Sequence, residues 1–499
     1  MERSAGILLA ISSLPSKYGI GSFSKEAYRF VDWLRAAHQS YWQILPMGPT
    51  GYGDSPYQSF STFAGNPYFI DLDTLVDQGL LTDRECRERD WGDDGRDVDY
   101  RTIYEGRYPI LRKSYERWKM TDSMEFSLFM DENKEWIYDY SLFMAVKDSL
   151  GGIPWTEWPQ DIRNRQPDAV QKMQVELAEE IHFQQYMQYL FYTQWNALKS
   201  YANKNHIRII GDIPIYVAMD SADVWAHPEL FRLDEDRCPY EVAGCPPDGF
   251  SETGQLWGNP IYDWELNRQT GYSWWIARMR HSYKLYDVVR IDHFRGFDEY
   301  YAIPYGEETA VNGKWKKGPG MDLFRNIEKA LGKRDVIAED LGFVTDSVRK
   351  LVHDSGFPGM KVVEFAFDVR DTGAASDYLT HNYIRNCVVY TGTHDNETLI
   401  GWWSSIDQRA RDMARDYMAA HYTPDRLINV PFITLAMRSI ADLCIIPMQD
   451  YLGLDNKSRM NKPSTVGDNW RWRTISDDMD DDLAEEIGRL TLMTGRSKM

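Results

Sequence analysis

The feature that most constrains the fold is a repeated alternation of short apolar runs with amphipathic helical patterns. Eight of the runs have the length and composition of buried strands. They are residues 6–11, 41–45, 207–211, 288–291, 336–338, 361–365, 387–390 and 443–446. Because strands that alternate with helices form parallel sheets, eight such units predict an α/β fold, a closed (β/α)8 barrel.

The length of the chain predicts large insertions in this barrel. A (β/α)8 barrel needs only about 250 residues, whereas the chain has 499. We expect one barrel over residues 1–499, interrupted by a mostly helical segment at about 48–195, a Gly/Pro/Asp-rich loop within 214–270, and a β-hairpin at 297–320. Asn312-Gly313 predicts a type I′ turn in that hairpin. About 50 residues follow the last strand, too few for an added C-terminal β-sandwich domain.

Charge and cysteine content exclude several classes of partner. The 56 basic and 76 acidic residues give a net charge of −20, which repels nucleic-acid phosphates and anionic membranes. No apolar stretch approaches the roughly 20 residues of a membrane span. The five cysteines are scattered and odd in number, as in reduced cytoplasmic proteins. We therefore predict a cytoplasmic protein without nucleic-acid or membrane partners. Aromatic residues make up 14%, which suits both a packed core and a site that stacks on sugars.

Four acidic residues fall at the carboxyl ends of predicted strands, the face of a barrel where active sites lie. They are Asp212, Asp292, Glu339 and Asp395. Cleavage of a glycosidic bond needs two carboxyl groups on either side of the bond. A single acidic residue is more often a helix cap or part of a surface ion pair, but four at strand ends favour an enzyme.

Other candidate residues keep two interpretations. His293 and His394 adjoin carboxylates, but no helix carries the His and carboxylate spacing of a metal site, and we expect no metal. Phe365 and Phe367 fit either a wall of a sugar subsite or the core, with the core favoured. Glucan binding and packing of the C-terminal loop explain Trp470 and Trp472 about equally well.

Six long motifs occur in the order of one known family. They are residues 45–67 (LPMGPTGYGDSPYQSFSTFAGNP), 246–260 (PPDGFSETGQLWGNP), 290–296 (RIDHFRG), 337–342 (IAEDLG), 356–361 (GFPGMK) and 391–398 (TGTHDNET). With them the chain resembles the 4-α-glucanotransferases, or amylomaltases, of glycoside hydrolase family 77 over residues 6–473. That family belongs to the α-amylase superfamily of barrels but lacks the usual C-terminal β-domain.

The resemblance implies a role for each matched residue. Asp292 matches the nucleophile that forms a covalent glucosyl-enzyme, Glu339 the general acid and base, and Asp395 the carboxylate that stabilises the transition state. Four further residues match contacts to the sugar on the donor side of the bond; they are Tyr57, Asp212, Arg290 and His394. On the acceptor side Trp257 resembles a lid residue, and Gln255 lies beside it. The resemblance also implies maltooligosaccharides and 1,4-α-glucans as donors, glucose or a glucan as acceptor, and no cofactor.

Elementary chemistry agrees with these roles. Arg290 and Asp292 are two residues apart and so share one face of a strand, where the guanidinium would keep the nucleophile ionised. Glu339 needs a pKa raised by burial or by the like charge of Asp292 if it is to donate a proton near neutral pH. A retaining mechanism predicts that the two carboxyl groups lie about 5–5.5 Å apart.

Two points stay open at this stage. The family carries Asn-x-Pro-Gly near its end, whereas this chain reads Asn461-Lys-Pro-Ser464, followed by Gly467-Asp-Asn-Trp470. Serine at position 464 removes the easy access to positive φ that glycine gives.

A glucosyl-enzyme reacts with water or with a sugar hydroxyl, so the carboxylates alone do not separate a transferase from an α-glucan hydrolase. A non-catalytic glucan-binding protein is a third alternative, which the intact carboxylates disfavour.

Overall fold

A computed structural model describes residues 2–51, 53–92, 95–121, 123–247, 251–342, 344–367 and 375–498. Within these ranges the chain forms two sheets and a set of surrounding helices. The strands are β1 Ser4–Leu8, β2 Tyr41–Gln43, β3 Arg208–Pro214, β4 Glu241–Cys245, β5 Gln255–Pro260, β6 Val288–Asp292, β7 Glu299–Pro304, β8 Lys314–Lys317, β9 Val336–Ala338, β10 Gly359–Val362, β11 Cys387–Tyr390 and β12 Leu443–Pro447.

Eight strands form one parallel sheet that closes into a barrel. Their order is β10-β11-β12-β1-β2-β3-β6-β9, so every barrel strand lies beside its neighbour in the chain. At the seam between β9 and β10 the backbone N–H of Ala338 donates to the carbonyl of Pro358 at 3.0 Å. The predicted (β/α)8 barrel is therefore confirmed.

Helices surround the barrel and fill the segment between β2 and β3. They are α1 Lys25–Ala36, α2 Leu72–Asp77, α3 Asp83–Arg87, α4 Tyr100–Trp118, α5 Met124–Glu132, α6 Ile137–Ser149, α7 Gln160–Arg163, α8 Pro167–Glu176, α9 Ala178–Lys204, α10 Ala222–Ala226, α11 Trp264–Gln269, α12 Ser273–Leu285, α13 Met321–Leu331, α14 Asp346–Ser355, α15 Ala375–Tyr378, α16 Leu399–Ser405, α17 Gln408–Met418, α18 Asn429–Arg438, α19 Met448–Tyr451 and α20 Asp481–Met493. None of the helices in the described ranges combines the length and apolar character needed to cross a membrane.

Helix α14, which links β9 to β10, illustrates how the sequence sets the helical layer. The side chain of Thr345 accepts a hydrogen bond from the N–H of Val348 and caps the amino end. Val348 and Leu351 are buried three residues apart, on one face of the helix. Gly356 ends the helix with a φ of +70°, a conformation that glycine adopts without steric cost. Local sequence thus fixes the start, the buried face and the end of this helix.

Two barrel strands begin two residues before their predicted positions. The first is β1, which covers Ser4–Leu8 and was predicted at 6–11; the second is β10. The apolar run predicted a strand at 361–365, but β10 covers Gly359–Val362, and a turn of 3₁₀ helix follows at Val363–Ala366. The N–H of Met360 donates to a carboxylate oxygen of Asp340 at 2.7 Å. A Cβ at Gly359 would lie only 2.5 Å from that carboxylate. The strand thus begins at a close backbone approach that hydropathy does not mark.

Two segments predicted to be separate form a second sheet, antiparallel, of order β5-β4-β7-β8. The Gly/Pro/Asp-rich segment, interpreted above as a loop, contributes β4 and β5. The segment 297–320 contributes β7 and β8. Glu241 pairs with Pro304 and Gly244 with Tyr301 across the two segments. Because this pairing joins residues about 60 apart, no local pattern in the sequence reveals it.

The prediction of a type I′ turn at Asn312-Gly313 is wrong. That turn needs positive φ at both central residues, and neither residue has it. Instead the N–H of Gly313 donates to the carbonyl of Ala310 at 3.2 Å. Gly313 also lies against the ring of Tyr301, where a Cβ would be 2.2 Å from a ring carbon. The glycine is explained by this close packing.

After β12 the chain continues with α19, an irregular loop and α20, and no β-sandwich follows in the described part of the chain. The guanidinium of Arg496, buried near the C-terminus, donates to the carbonyls of Ser4 at 3.0 Å and Met437 at 2.8 Å. The end of the chain is thereby tied to the first barrel strand.

Candidate active site

The four predicted carboxylates lie at the carboxyl ends of barrel strands. Asp212 is in β3 and Asp292 ends β6. Glu339 directly follows β9, and Asp395 lies in the loop after β11. Since these strands are parallel, the four side chains belong to one mouth of the barrel.

Arg290 joins two of these carboxylates. It pairs with Asp212 in the register of β3 and β6, and its guanidinium donates to Asp212 Oδ2 at 2.5 Å. Its second terminal nitrogen lies 3.0 Å from Asp292 Oδ1, so the contact predicted from the two-residue spacing is present. Because Arg290 is 3% exposed, water does little to screen this charge.

Tyr57 reaches the same cluster from the loop after β2. Its hydroxyl donates to Asp212 Oδ2 at 2.8 Å. Its ring stacks on His394 with centroids 5.1 Å apart and planes at 15°. Burial raises the pKa of Tyr57 well above its ordinary value, and the charge of Asp212 adds to the rise. The phenol therefore stays protonated and keeps donating this bond.

Glu339 is held by the backbone next to Asp292. The N–H of His293 donates to Glu339 Oε2 at 2.7 Å, and the N–H of Leu341 donates to Oε1 at 2.7 Å. His293 adopts a left-handed conformation, with φ +54°, at the end of β6. The chain thus turns directly after Asp292, and the turn fixes Glu339 beside it.

Burial raises the pKa of both Asp292 and Glu339. For Asp292, Arg290 opposes the rise, while the negative charges of Glu339, Asp212 and Asp395 add to it. For Glu339, Arg290 and the two backbone donors oppose the rise. The expected increase for Glu339 is present, and burial is its main cause. Arg290 lowers the pKa of Asp292, as expected, but burial raises it by more.

Asp395 is held through one of its two oxygens. The side-chain amide of Asn461 donates to Oδ1 at 2.6 Å, and Nε2 of His394 lies 3.3 Å from the same atom. Arg459 donates to the backbone carbonyl of Asp395 at 2.7 Å. Burial lowers the pKa of His394, although Asp395 opposes this. Among the described residues, Oδ2 has no hydrogen-bond partner and is open to a ligand.

An open cleft connects these groups to the second sheet. It is lined by Tyr57, Asp292, His394 and Asp395 on the barrel side and by Gln255 and Trp257 of β5. Trp257 donates from Nε1 to the side-chain oxygen of Gln255 at 3.0 Å. Its ring meets that of His293 edge to face, with centroids 4.8 Å apart. Asp248, Gly249 and Phe250, in the loop between β4 and β5, lie outside the described residues, as does Tyr52.

A sequence model of the 4-alpha-glucanotransferase family matches residues 9–477. The chain belongs to this family. It is 48% identical to the 4-alpha-glucanotransferase of Clostridium butyricum over 97% of this chain and 99% of that protein. It is 44% identical to the enzyme of Thermus thermophilus over 99% of both chains.

A solved structure supports the assignment to the 4-alpha-glucanotransferases. Amylomaltase from Streptococcus agalactiae, solved in complex with acarbose, superposes with a TM-score of 0.96 at 40% identity over the whole of both chains. The amylomaltase of Corynebacterium glutamicum has the same fold, with a TM-score of 0.79 at 18% identity, over 98% of this chain and 75% of that one.

Four aromatic residues were predicted to lie either in a sugar site or in packed parts of the fold; they are Phe365, Phe367, Trp470 and Trp472. Trp470 lines the cleft, with its ring 5.8 Å from the ring of Tyr57 and 5.9 Å from that of His394. Trp472 is buried, and its backbone forms an isolated antiparallel β-bridge with that of Asp97. Phe367 is buried against Tyr417 and Phe432, and Phe365 packs edge-on against Tyr378. Only Trp470 of the four is a candidate for contact with a sugar.

Ser464 has a left-handed backbone conformation, which is sterically costly for serine. Ser464 has a φ of +63°, and Asp468 and Trp470 in the same loop are also positive. The loop lines the cleft beside Asp395. Serine therefore adopts a left-handed conformation where the family carries glycine, at a steric cost of roughly 1–2 kcal/mol.

The sequence did not predict the two residues that hold Asp395 by hydrogen bonds, because they lie far from it along the chain. Asn461 and Arg459 lie more than 60 positions after it. The signal for Asn461 was present in the Asn-x-Pro motif, but that motif served only to mark the departure at Ser464.

Proposed function

We propose that the chain cleaves a 1,4-α-glucan and transfers its donor segment to the 4-hydroxyl of glucose or of another glucan, through a covalent bond to Asp292. The observation that carries this proposal is the placement of Asp292. The guanidinium of Arg290 lies 3.0 Å from its Oδ1, and the N–H of His293, the residue after Asp292, holds the carboxyl group of Glu339 in place. Membership of the 4-alpha-glucanotransferase family supports it.

In the first step a carboxylate oxygen of Asp292 attacks C1 of the donor sugar. The bond between C1 and the bridging oxygen breaks as Glu339 gives its proton to that oxygen. The leaving segment departs with a free 4-hydroxyl, and Glu339 is left ionised. In the second step Glu339 takes the proton of an acceptor 4-hydroxyl, whose oxygen displaces Asp292 from C1. Both steps invert the configuration at C1, so the α-linkage is retained.

The distribution of protons follows from the contacts. Two half-buried carboxyl groups that repel each other titrate as a pair, so loss of the first proton disfavours loss of the second. Arg290 touches Asp292 at 3.0 Å, which favours the ionised form of this member of the pair. We assign the shared proton to Glu339, although the two backbone N–H groups that donate to its oxygens oppose this. The pair thus supplies a nucleophile and an acid at once.

The remaining contacts bind and orient the sugar being transferred. Tyr57 offers a ring face beside His394, which suits stacking on the apolar face of a pyranose. Asp395 lines the cleft, and we assign its Oδ2 to sugar hydroxyl groups in the transition state. Asp212 and Arg290 complete a buried, charged floor. The cytoplasm is the proposed location, consistent with five free cysteines.

Transfer rather than hydrolysis requires that an acceptor sugar occupy the second half of the cleft before water reacts. Trp257 and Gln255 supply an aromatic face and an amide on this side. We therefore assign acceptor binding to the β5 strand of the second sheet. A hydrolase would use the same carboxylates with a weaker acceptor site.

Replacing Trp257 by alanine should lower the ratio of transfer to hydrolysis about tenfold, the equivalent of roughly 1.4 kcal/mol and within the range of one lost stacking contact. The ratio is measured from maltotriose as longer oligosaccharides formed per reducing end released. Tyr305→Ala is the matched control, because Tyr305 is an exposed aromatic residue that follows β7 of the same sheet. An unchanged ratio in Trp257→Ala would remove the acceptor role from this residue.

The proposed function is tested by incubating the wild-type enzyme with maltotriose alone. Transfer predicts a ladder of maltooligosaccharides both shorter and longer than the substrate, with little net release of reducing ends. Reducing ends that rise without longer products would identify a hydrolase instead. Binding of maltotriose without any product would indicate a non-catalytic glucan-binding protein.

A further inference from the structure

One buried side chain binds both ends of the loop that carries Asp395. We define the Asp395 loop as residues 391–399, from the end of β11 to the start of α16. The hydroxyl of Thr391 donates to Asp450 Oδ2 at 2.6 Å, and the N–H of Leu399 donates to Asp450 Oδ1 at 2.9 Å. Each oxygen of one carboxylate thus closes one end of the loop.

Asp450 itself is fixed independently of the loop. It lies in α19, directly after β12, and is 2% exposed. The side-chain amide of Asn429 in α18 donates to the backbone carbonyl of Asp450 at 2.9 Å. The carboxylate therefore projects from the turn of helix that follows the eighth barrel strand, and α18 holds this turn in place.

Burying this carboxylate is costly for the fold. Burial raises the pKa of Asp450 to about 6, and the opposing groups, the N–H of Leu399 and the hydroxyl of Thr391, are both neutral. An ionised group with only neutral partners in the interior is unfavourable in itself. Its removal alone leaves the N–H of Leu399 and the hydroxyl of Thr391 without an acceptor, which also lowers stability. The attachment of the loop explains aspartate at this position.

The interior of the Asp395 loop is closed as well. The side-chain oxygen of Asn396 accepts from the N–H of Thr393 at 2.9 Å and from its hydroxyl at 2.8 Å. The N–H of Asp395 lies 3.3 Å from that hydroxyl oxygen. The orientation of this turn then depends on where it is attached. Its two ends are attached to Asp450, and its middle is attached to the segment of Asn461, whose N–H donates to the carbonyl of His394 at 3.1 Å.

We propose that Asp450 is a positioning residue for Asp395, holding the Asp395 loop at both ends so that Asp395 Oδ2 faces the sugar in the cleft. Asn461 holds the same carboxylate from the outer side, through Oδ1. The inference rests on the transition-state role proposed above for Asp395. It accounts for a buried acid that no step of the reaction uses directly.

The test compares Asp450→Ala with Asp450→Asn. Alanine removes both attachments, and a shift of the loop by about 1 Å is enough to lower the rate by up to about 100-fold. We expect kcat for transfer from maltotriose to fall 10- to 100-fold in Asp450→Ala, with KM changed by less than about threefold. Asparagine offers an oxygen to Leu399 and an amide to Thr391, so Asp450→Asn should recover most of kcat.

Asp223→Ala is the matched control. Asp223 is also buried, its pKa is also raised to about 6 by burial, and it accepts from the N–H of Thr62 at 2.8 Å, away from the Asp395 loop. Its loss should lower the melting temperature but leave kcat within about threefold. If Asp450→Ala does not fold, Thr391→Val removes one attachment, and a fall in kcat of several-fold at constant KM is expected.

Asp450 has only a structural role if Asp450→Ala, or Thr391→Val in its place, melts earlier but keeps the kcat of the wild type. A matching loss of kcat in Asp223→Ala would also overturn the proposal. Failure of the proposed function gives a different result, because the wild-type enzyme would then form no ladder from maltotriose.

Discussion

Replacing Asp292 by asparagine should reduce kcat for transfer from maltotriose by at least about 10⁴-fold, a loss of the size measured when an enzyme's nucleophile is removed. The amide has no charge with which to attack C1, so no glucosyl-enzyme forms. Binding should persist, because Tyr57 and the pair of Arg290 with Asp212 remain. The measurement is kcat from maltotriose, together with the Kd of the variant for the same sugar.

The control for this substitution is Asp335→Asn. Asp335 lies just before β9, at the opposite end of the barrel, where it pairs with Arg208 at 2.7 Å. Its loss should change kcat by less than about twofold. Activity of Asp292→Asn within tenfold of the wild type would show that another residue forms the covalent bond, or that none does.

Replacing Glu339 by glutamine should lower kcat on maltotriose by about 10²- to 10⁴-fold, the usual contribution of a general acid. The loss should be much smaller for the first step with an α-maltosyl fluoride donor, measured as the burst of fluoride released, because fluoride leaves without full protonation. The second step still needs Glu339 as the base. This difference between the two donors separates loss of the acid from a distorted site. An equal loss on both donors would contradict the assigned role.

Glu339 also predicts the direction of a pH effect. An acid must be protonated to act, so the rate falls as the pH rises through its pKa. Burial raises the pKa of Glu339, which moves this falling limb to a higher pH than an exposed glutamate would give. With maltotriose as donor, the alkaline limb of kcat/KM should be absent in Glu339→Gln and present in the wild type.

The barrel and its four acidic residues could be predicted because each rests on a local pattern. Asp292 ends an apolar run, and Glu339 directly follows one. Parallel strands place their carboxyl ends together, so strand order alone predicts one site. The contact between Arg290 and Asp292 follows from a spacing of two residues in a strand.

The remainder could not be predicted because it depends on contacts between distant segments. The second sheet pairs Gly244 with Tyr301, and the attachment of the Asp395 loop joins Thr391 to Asp450. Gly313 provides a further example, since its sequence predicts a turn while its packing against Tyr301 explains the residue. Hydropathy and turn propensity describe neighbours in sequence, and none of these contacts is between neighbours.

The central claim, a glucosyl-enzyme on Asp292 that a sugar captures, is tested most directly by trapping it. Glu339→Gln is mixed with α-maltosyl fluoride, and the protein is digested and examined by mass spectrometry before and after addition of glucose. The account predicts one maltosyl group on the peptide that contains Asp292, released as maltotriose when glucose is added. A maltosyl group on another residue, or no adduct while the donor is consumed, would contradict it.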